Sequence, residues 1–321
     1  MHEKKHLFSV FQLTKCKILE YISKAQEMKR LSGFNSPLLK EKLQGKILIS
    51  MFYEPSTRTS ASFQSAMLKL GGNVISITDK YSSVEKGETL EDTIKTLNSY
   101  GDAIVLRHPI RGSSIVASQV SDIPIINAGD GNGEHPTQAL LDIFTINQRL
   151  MKYGININNE NRDDINVTFV GDLKNSRTIH SLIQVLCLFP KISFIYVSPP
   201  SLQMPEEIIN RVHSLGIHQK NNCYGLEESI KISDVVYMTR IQKERFANEE
   251  EYYNVINNNN LIIDRNIMMT CAKESMILMH PLPRNNEISV EVDSDPRAAY
   301  FDQVKNGVYM RMAILDDILG D

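Results

Sequence analysis

At 321 residues and 36.5 kDa, the chain is longer than one hydrophobic core usually organises, so two domains of about 150 residues each are expected. A hydrophobic fraction of 42%, a charged fraction of 23% and a formal net charge of -3 give it no general electrostatic reason to bind nucleic acid or an anionic membrane, so any anion site has to be local. No apolar run approaches the ~18 residues needed to span a bilayer, and Met1 to His6 leads into an amphipathic segment rather than a signal-peptide core; a cytoplasmic address is expected, with a leader or upstream domain outside this sequence left open.

From Leu7 to about Met28 the apolar spacing predicts a helix. Lys46 to Tyr53 is short, apolar and partly β-branched, a strand, and Phe63, Ala66, Met67 and Leu70 then recur at helical spacing, so this stretch is a β-α unit. Strands are predicted at Asn73 to Thr78, Ala103 to His108 and Pro124 to Gly129, separated by stretches long enough for the crossover helices of a parallel sheet. His135 to about Lys152 reads as a long helix with Leu140, Ile143, Phe144 and Met151 on one face, able to bridge two domains. The alternation restarts with a strand from Ile165 to Gly171, a helix using Ile179, Leu182, Ile183 and Leu186, and a strand from Ile192 to Val197 stopped by Pro199-Pro200. Asp234 to Thr239 and Met276 to His280 are further strands, and Val308, Met312, Leu315 and Leu319 stripe a terminal helix that is expected to return to the first domain. The fold class is therefore α/β, two doubly wound parallel-sheet domains joined by bridging helices. The expected division assigns residues 1–138 plus 305–321 to one domain and 139–304 to the other. Ile155 to Asn161 and Asn257 to Asn260 are compositionally biased loops without a catalytic role. Cys16, Cys187, Cys223 and Cys271 are far apart with no CxxC pair, which suggests neither a zinc knuckle nor a disulfide framework.

Ser56-Thr57-Arg58-Thr59 falls where the first strand ends and its helix starts. Backbone N–H groups, hydroxyls and a guanidinium converge there, as an anion site requires, although a plain Ser/Thr helix cap is the competing reading. Gly129 to Gly133 lacks the Lys-Ser/Thr ending of a P-loop, and no GxGxxG follows a strand, so the phosphate would belong to a small substrate. Arg107-His108-Pro109 closes another strand and Glu134-His135-Pro136-Thr137-Gln138 opens a helix, at carboxyl ends where open α/β sheets bind ligands. Arg, His and Gln together can hold a planar carbonyl-plus-amine group, with donors to its oxygen and an acceptor to its nitrogen. Further on, Arg177 and Arg240 offer two guanidinium groups that suit a dicarboxylic substrate, with ordinary surface ion pairs as the alternative.

The ordered set SxRT at 56–59, VEKGETLEDT at 84–93, RHP at 107–109 and HPTQ at 135–138 stops looking generic once the second half of the chain is added to it. That half contributes VGDL at 170–173, RTIHSL at 177–182, YMTRIQKER at 237–245 and HPLPR at 280–284. Over nearly its whole length the chain resembles the aspartate transcarbamoylase catalytic chains. SxRT, RHP and HPxQ are shared with ornithine transcarbamoylases, but those typically carry HCLP where this chain has His280-Pro281-Leu282-Pro283, and they lack the arginine matching Arg240. The resemblance implies transfer of the carbamoyl group of carbamoyl phosphate to L-aspartate, an early step of pyrimidine biosynthesis, with no metal or organic cofactor.

It further implies that Ser56, Thr57, Arg58, Thr59 and Arg107 bind the phosphate, that Thr59, Arg107 and His135 reach the carbonyl oxygen, and that Gln138 with the carbonyls of Pro281 and Leu282 positions the amino groups. Arg177, Arg240 and Gln242 would hold the carboxylates of aspartate. Ser82 and Lys86 match a loop that enters the neighbouring subunit's active site, so a homotrimer is expected; Ser83-Val84-Glu85 departs from the more basic stretch seen beside that lysine in many relatives. Glu54, Arg177 and Arg245 match residues that make contacts on domain closure. Regulatory chains or a larger pyrimidine-synthesis protein are conceivable partners. Transfer to another amine acceptor and a non-catalytic metabolite-binding subunit are the rival functions.

Overall fold

Strands buried on both faces must be apolar throughout, and the short apolar runs of this sequence meet that demand. In the computed structural model, which describes residues 5–78, 87–221, 225–259 and 261–320, nine strands among the described residues form two all-parallel sheets. The chain divides into two compact units, Met1–Phe144 with Val304–Asp321, and Thr145–Gln303.

In the first unit α1 (Lys15–Gly33) and α2 (Leu38–Glu41) lead into β1 (Ile47–Phe52), α3 (Thr57–Lys69), β2 (Asn73–Thr78), α4 (Leu90–Leu97), β3 (Ala103–His108), α5 (Ser113–Val120), β4 (Ile125–Asp130) and α6 (Pro136–Met151), the last crossing into the second unit. The strand order is β2-β1-β3-β4. The chain thus adds β2 on one side of β1 and then β3 on the other, so the order reverses between β1 and β3, leaving at their carboxyl ends the crevice where such sheets bind ligands. Ile49, Met51, Ile94, Leu97, Ile104 and Leu106 are among the side chains packed in its core.

The second unit continues with β5 (Ile165–Val170), α7 (Arg177–Leu186), β6 (Ile192–Val197), α8 (Glu206–Ser214), β7 (Gln219–Asn221), α9 (Leu226–Ile232), β8 (Val235–Met238), α10 (Glu249–Asn258), α11 (Arg265–Thr270) and β9 (Ile277–Met279); α12 (Tyr300–Leu319) then passes into the first. Strand order β7-β6-β5-β8-β9 puts the reversal between β5 and β8. Phe169, Phe194, Tyr196 and Tyr237 form an aromatic cluster across three neighbouring strands, with ring centroids 5.9 to 6.4 Å apart.

Several sequence expectations change. The helix foreseen from Leu7 begins at Lys15, because Thr14 is extended and its hydroxyl caps the Lys17 N–H. Leu7 instead bridges Ile126 in parallel, and Val10–Gln12 forms one 3-10 turn with Ser9 and Gln12 as a reciprocal capping box. The short polar strand β7 carries no apolar run and was not foreseen. Of the Asn tracts, Asn257 lies inside α10 rather than in a loop. The other tract is a loop, in which Asn156 and Asn159 side chains accept from N–H groups two residues on.

Within the first unit α12 is tied to α1 by Asp317, whose carboxylate accepts from Lys17 Nζ at 2.8 Å and Tyr21 Oη at 2.9 Å. Burial pushes this carboxyl's pKa up, but those hydrogen bonds and the charges of Lys17 and Lys24 outweigh it and hold the pKa below the usual aspartate value. A depressed acid contributes stability that is present above its unfolded pKa of about 3.9 and is lost as the pH falls through the folded value. Asp317→Asn is therefore expected to cost about 2 kcal/mol near neutrality. Thermal midpoints of the two proteins, compared from pH 6 to pH 3, should converge only at the acid end.

Candidate active site

Each of the two strand-order reversals carries predicted site residues. In the first unit, β1 and β3 are in register with Phe52 opposite Arg107, and Tyr53 N–H donates to the Arg107 carbonyl at 2.9 Å, so the loop leaving β1 lies beside the end of β3. That loop runs through Glu54 and Ser56 into α3, which starts at Thr57. Ser56 is the N-cap residue, yet its side chain makes no capping hydrogen bond. The plain-cap reading is thus not what the geometry shows, and the first-turn N–H groups of Thr57, Arg58 and Thr59 have no intrahelical acceptor. Thr59 is buried, Thr57 and Arg58 are exposed, and Arg107 is half-buried with its Nε donating to Glu54 at 3.2 Å. Glu54 therefore orients Arg107 within this unit.

His108, the middle residue of RHP, is used structurally. Its Nδ1 accepts from the Ile110 N–H at 3.1 Å, and Tyr53 packs against the ring in an edge arrangement. At the end of β4, Asp130 accepts from the N–H groups of Glu134 and Gly112 and shapes the glycine turn. Gly131 has φ +49 there, and an added Cβ would lie 2.5 Å from the Pro109 carbonyl oxygen, which is why this turn needs glycine. The turn delivers His135, 3% exposed, to the start of α6 with Pro136 as its first helical residue. Gln138 follows one turn on, buried, with Nε2 donating to Asp142 at 2.9 Å. Glu134 accepts from Ser9 Oγ and from the Val10 N–H at 2.6 Å. Burial raises its pKa against the pull of those hydrogen bonds.

In the second unit, β5 is followed directly by Gly171, where φ is +113 and an added Cβ would lie 2.1 Å from the Thr239 carbonyl oxygen. Only glycine lets the loop after β5 approach the end of β8 this closely. Asp172, fully buried, accepts from the backbone and side chain of Asn175. Burial raises its carboxyl's pKa, opposed by those bonds, by the N–H of Gln242 and by the Arg245 charge. Asp172 thus joins the loop that leads to Arg177, first residue of α7, to the loop carrying Arg240, Gln242 and Arg245. Arg240 forms a two-pronged pair with Glu244, Nη1 to Oε2 at 3.0 Å and Nη2 to Oε1, and this pair raises its pKa. The guanidinium is already presented to a carboxylate.

The HPLP segment follows β9. His280 is buried; its Nδ1 accepts the Leu282 N–H at 2.8 Å and its Nε2 lies 2.8 Å from Glu287. Leu282 has φ +55 and a cis bond to Pro283. This segment fixes the carbonyls of Pro281 and Leu282. Arg284 pairs with Asp293 and donates to Tyr300 Oη at 2.9 Å. Ser82 and Lys86 lie outside the described residues. Sequence reasoning missed Asp142, Glu244, Asp172 and Glu287 as partners of site residues. The i,i+4 spacing of Gln138 with Asp142 and of Arg240 with Glu244 was the available signal for two of them. Among the described residues no group of three or more His, Cys, Asp and Glu side chains is arranged to hold a metal ion, and no helix is long and apolar enough to cross a membrane.

Two family profiles match the chain in succession: the carbamoyl-P binding domain of aspartate/ornithine carbamoyltransferases over residues 5–148, and their Asp/Orn binding domain over residues 163–318. The chain belongs to this carbamoyltransferase family. Its relatives include the aspartate carbamoyltransferase catalytic subunit of Methanocaldococcus jannaschii, 44% identical over 99% of this chain and 98% of that protein. The multifunctional protein CAD of Squalus acanthias is 49% identical over 98% of this chain, which spans only 13% of that much longer relative. Among solved structures, the aspartate transcarbamoylase of Trypanosoma cruzi in complex with carbamoyl phosphate and aspartate matches at a TM-score of 0.90 and 41% identity, covering 99% of this chain and 98% of that one.

One consequence of the HPLP geometry is directly measurable in this chain. Because Nδ1 of His280 accepts an amide N–H, the ring proton belongs on Nε2, donated to Glu287. Long-range nitrogen–proton NMR of His280 is expected to show the Nε2-H tautomer at neutral pH. A proton on Nδ1 would contradict the arrangement that fixes Leu282.

Proposed function

We propose that the chain transfers the carbamoyl group of carbamoyl phosphate to the amine of L-aspartate, giving N-carbamoyl-L-aspartate and phosphate, an early reaction of pyrimidine synthesis. The observation that carries the choice of acceptor is Arg240 at the β5/β8 reversal, its guanidinium engaged by a carboxylate fork in the same loop as Gln242. A substrate carboxylate can take the place of Glu244 and accept from this arginine, whereas the ammonium of ornithine would meet like charge. The relatives named aspartate carbamoyltransferase and the Trypanosoma cruzi complex support the same reading.

In this reading the first unit holds the electrophile. The N-terminus of α3 with Ser56, Thr57 and Arg58 takes the phosphate, where the helix dipole and a two-pronged arginine favour negative charge. Attack by the neutral amine of aspartate on the carbamoyl carbon places negative charge on the carbonyl oxygen. Thr59, Arg107 and His135 donate to that oxygen, and loss of one such donor costs about 10²- to 10³-fold in rate. The C–O bond to phosphate then breaks, and the departing phosphate takes the proton released by the amine. Gln138 accepts from the carbamoyl amino group, as do the carbonyls of Pro281 and Leu282. Arg177, Arg240 and Gln242 hold aspartate. We assign Ser82 and Lys86 to the site of a neighbouring copy in a trimer, on their sequence match alone.

Purified protein given carbamoyl phosphate with either L-aspartate or L-ornithine, in the presence of a chelator, is expected to form carbamoyl-aspartate and no carbamoyl-ornithine. Arg240→Ala should raise the KM for aspartate about 10- to 100-fold, since hydrogen bonds to a charged group are worth about 1.5 to 3 kcal/mol. The KM for carbamoyl phosphate should move little. Carbamoyl-ornithine as the main product would reassign the acceptor, and a folded protein that makes neither product would leave a binding role.

A further inference from the structure

The amide of Gln138 is gripped by a carboxylate that sees no solvent. Gln138 and Asp142 are four residues apart on α6, hence neighbours on one face of the helix, and Gln138 Nε2 donates to Asp142 Oδ1 at 2.9 Å with Asp142 0% exposed. A glutamine amide can present either end to a ligand, because its oxygen and nitrogen ends have nearly the same shape, one accepting and the other donating. An ionised carboxylate only accepts. It therefore commits the nitrogen end of Gln138 and leaves Oε1 as the end able to accept from something else.

A buried carboxylate keeps its charge only when a countercharge is close. Arg311 of α12 supplies it. This arginine is buried, its Nη1 donates to Ser62 Oγ at 3.0 Å, and its guanidinium lies 5.0 Å from the centroid of the Phe63 ring. Burial lowers its pKa to about 10, and the negative charge of Asp142 opposes that shift. Were Asp142 neutral, its own O–H could donate to Oε1 and turn the amide over. The amide would then present N–H groups toward a group that itself has only N–H to offer.

We propose that Asp142 is a positioning residue for the carbamoyl donor: it holds the Gln138 amide with Oε1 outward, so that the site selects an acyl group bearing –NH2 over one bearing a methyl of the same size. The inference rests on the assignment of Gln138 to the carbamoyl amino group. A methyl has no hydrogen to donate and leaves Oε1 without its bond, which is the basis of the discrimination.

Two stable probes differ only in that group: phosphonoacetamide carries the amine, and acetonylphosphonate carries the methyl. Calorimetry on the native protein is expected to show phosphonoacetamide bound about 10-fold more tightly. Asn can both donate and accept, so in Asp142→Asn the preference should fall to less than about 3-fold while the Kd for acetonylphosphonate stays where it was. Equal weakening of both probes would mean that Asp142 only supports the fold, overturning the positioning role while the carbamoyl-transfer reading stands. No preference in a native protein that makes carbamoyl-aspartate would also overturn it, whereas a native protein that binds neither probe and makes no product removes the reading itself. Should Asp142→Asn fail to fold, native protein suffices: the side-chain NH₂ resonances of Gln138, assigned by their loss in Gln138→Met, should exchange slowly with solvent. Fast exchange would place that nitrogen away from Asp142.

Discussion

A parallel sheet that adds strands first to one side and then to the other must open between two carboxyl ends, and this chain does so twice. Ser56 to Thr59 and Arg107 lie at or just beyond the ends of the two strands that flank the β1/β3 gap, and Arg177, Arg240 and Gln242 follow those that flank the β5/β8 gap, while His135 and Gln138 come from beyond β4 and the HPLP segment from beyond β9. The inner strands are fixed by burial on both faces, so the loops leaving them can be polar, strained and specific without endangering the sheets. Gly171 shows the cost of that arrangement: the chain has to leave β5 in a conformation and at a distance from Thr239 that no other residue tolerates.

Charge is handled by the same division of labour. Exposed groups such as Arg58 lie at the helix N-terminus, whereas the carboxylates that orient site side chains are buried or partly buried and each has a defined partner. Glu54 turns Arg107, Asp172 draws in the N–H of Gln242, Glu287 meets His280, and Asp142 holds Gln138. Arg240 with Glu244 is the exposed counterpart, a pair that a competing carboxylate can exchange without first desolvating a new charge.

Most strands of both sheets were legible because short runs rich in apolar and β-branched residues between helical periods fit little besides a strand. Gln219–Asn221 was not, because an edge strand of three polar residues leaves no pattern to read. The amphipathic spacing from Leu7 onward misled, since the same apolar residues serve a β-bridge and a 3-10 turn before Thr14 caps the true helix. Motif residues such as Arg58, Arg107 and His135 were visible as chemistry in unusual positions. Their orienting partners were mostly not visible: Glu54 and Arg107 are 53 residues apart, and Asp142 reads in sequence as one of several polar residues on an amphipathic helix.

The segment before α1 also finishes a sheet. Leu7 donates to the Ile125 carbonyl at 2.9 Å and accepts from the Asn127 N–H at 2.8 Å, while His6 takes the Ile125 N–H, so the outer backbone of β4 is occupied. All six residues of β4 are buried and four are apolar or glycine at its centre and start, the composition that would recruit a foreign strand if its edge stood open. A few residues of irregular chain therefore act as a gatekeeper against edge-to-edge association. Because Glu134 grips Ser9 and Val10 directly beside His135, shedding that gatekeeper would loosen the turn that delivers His135 in the same event.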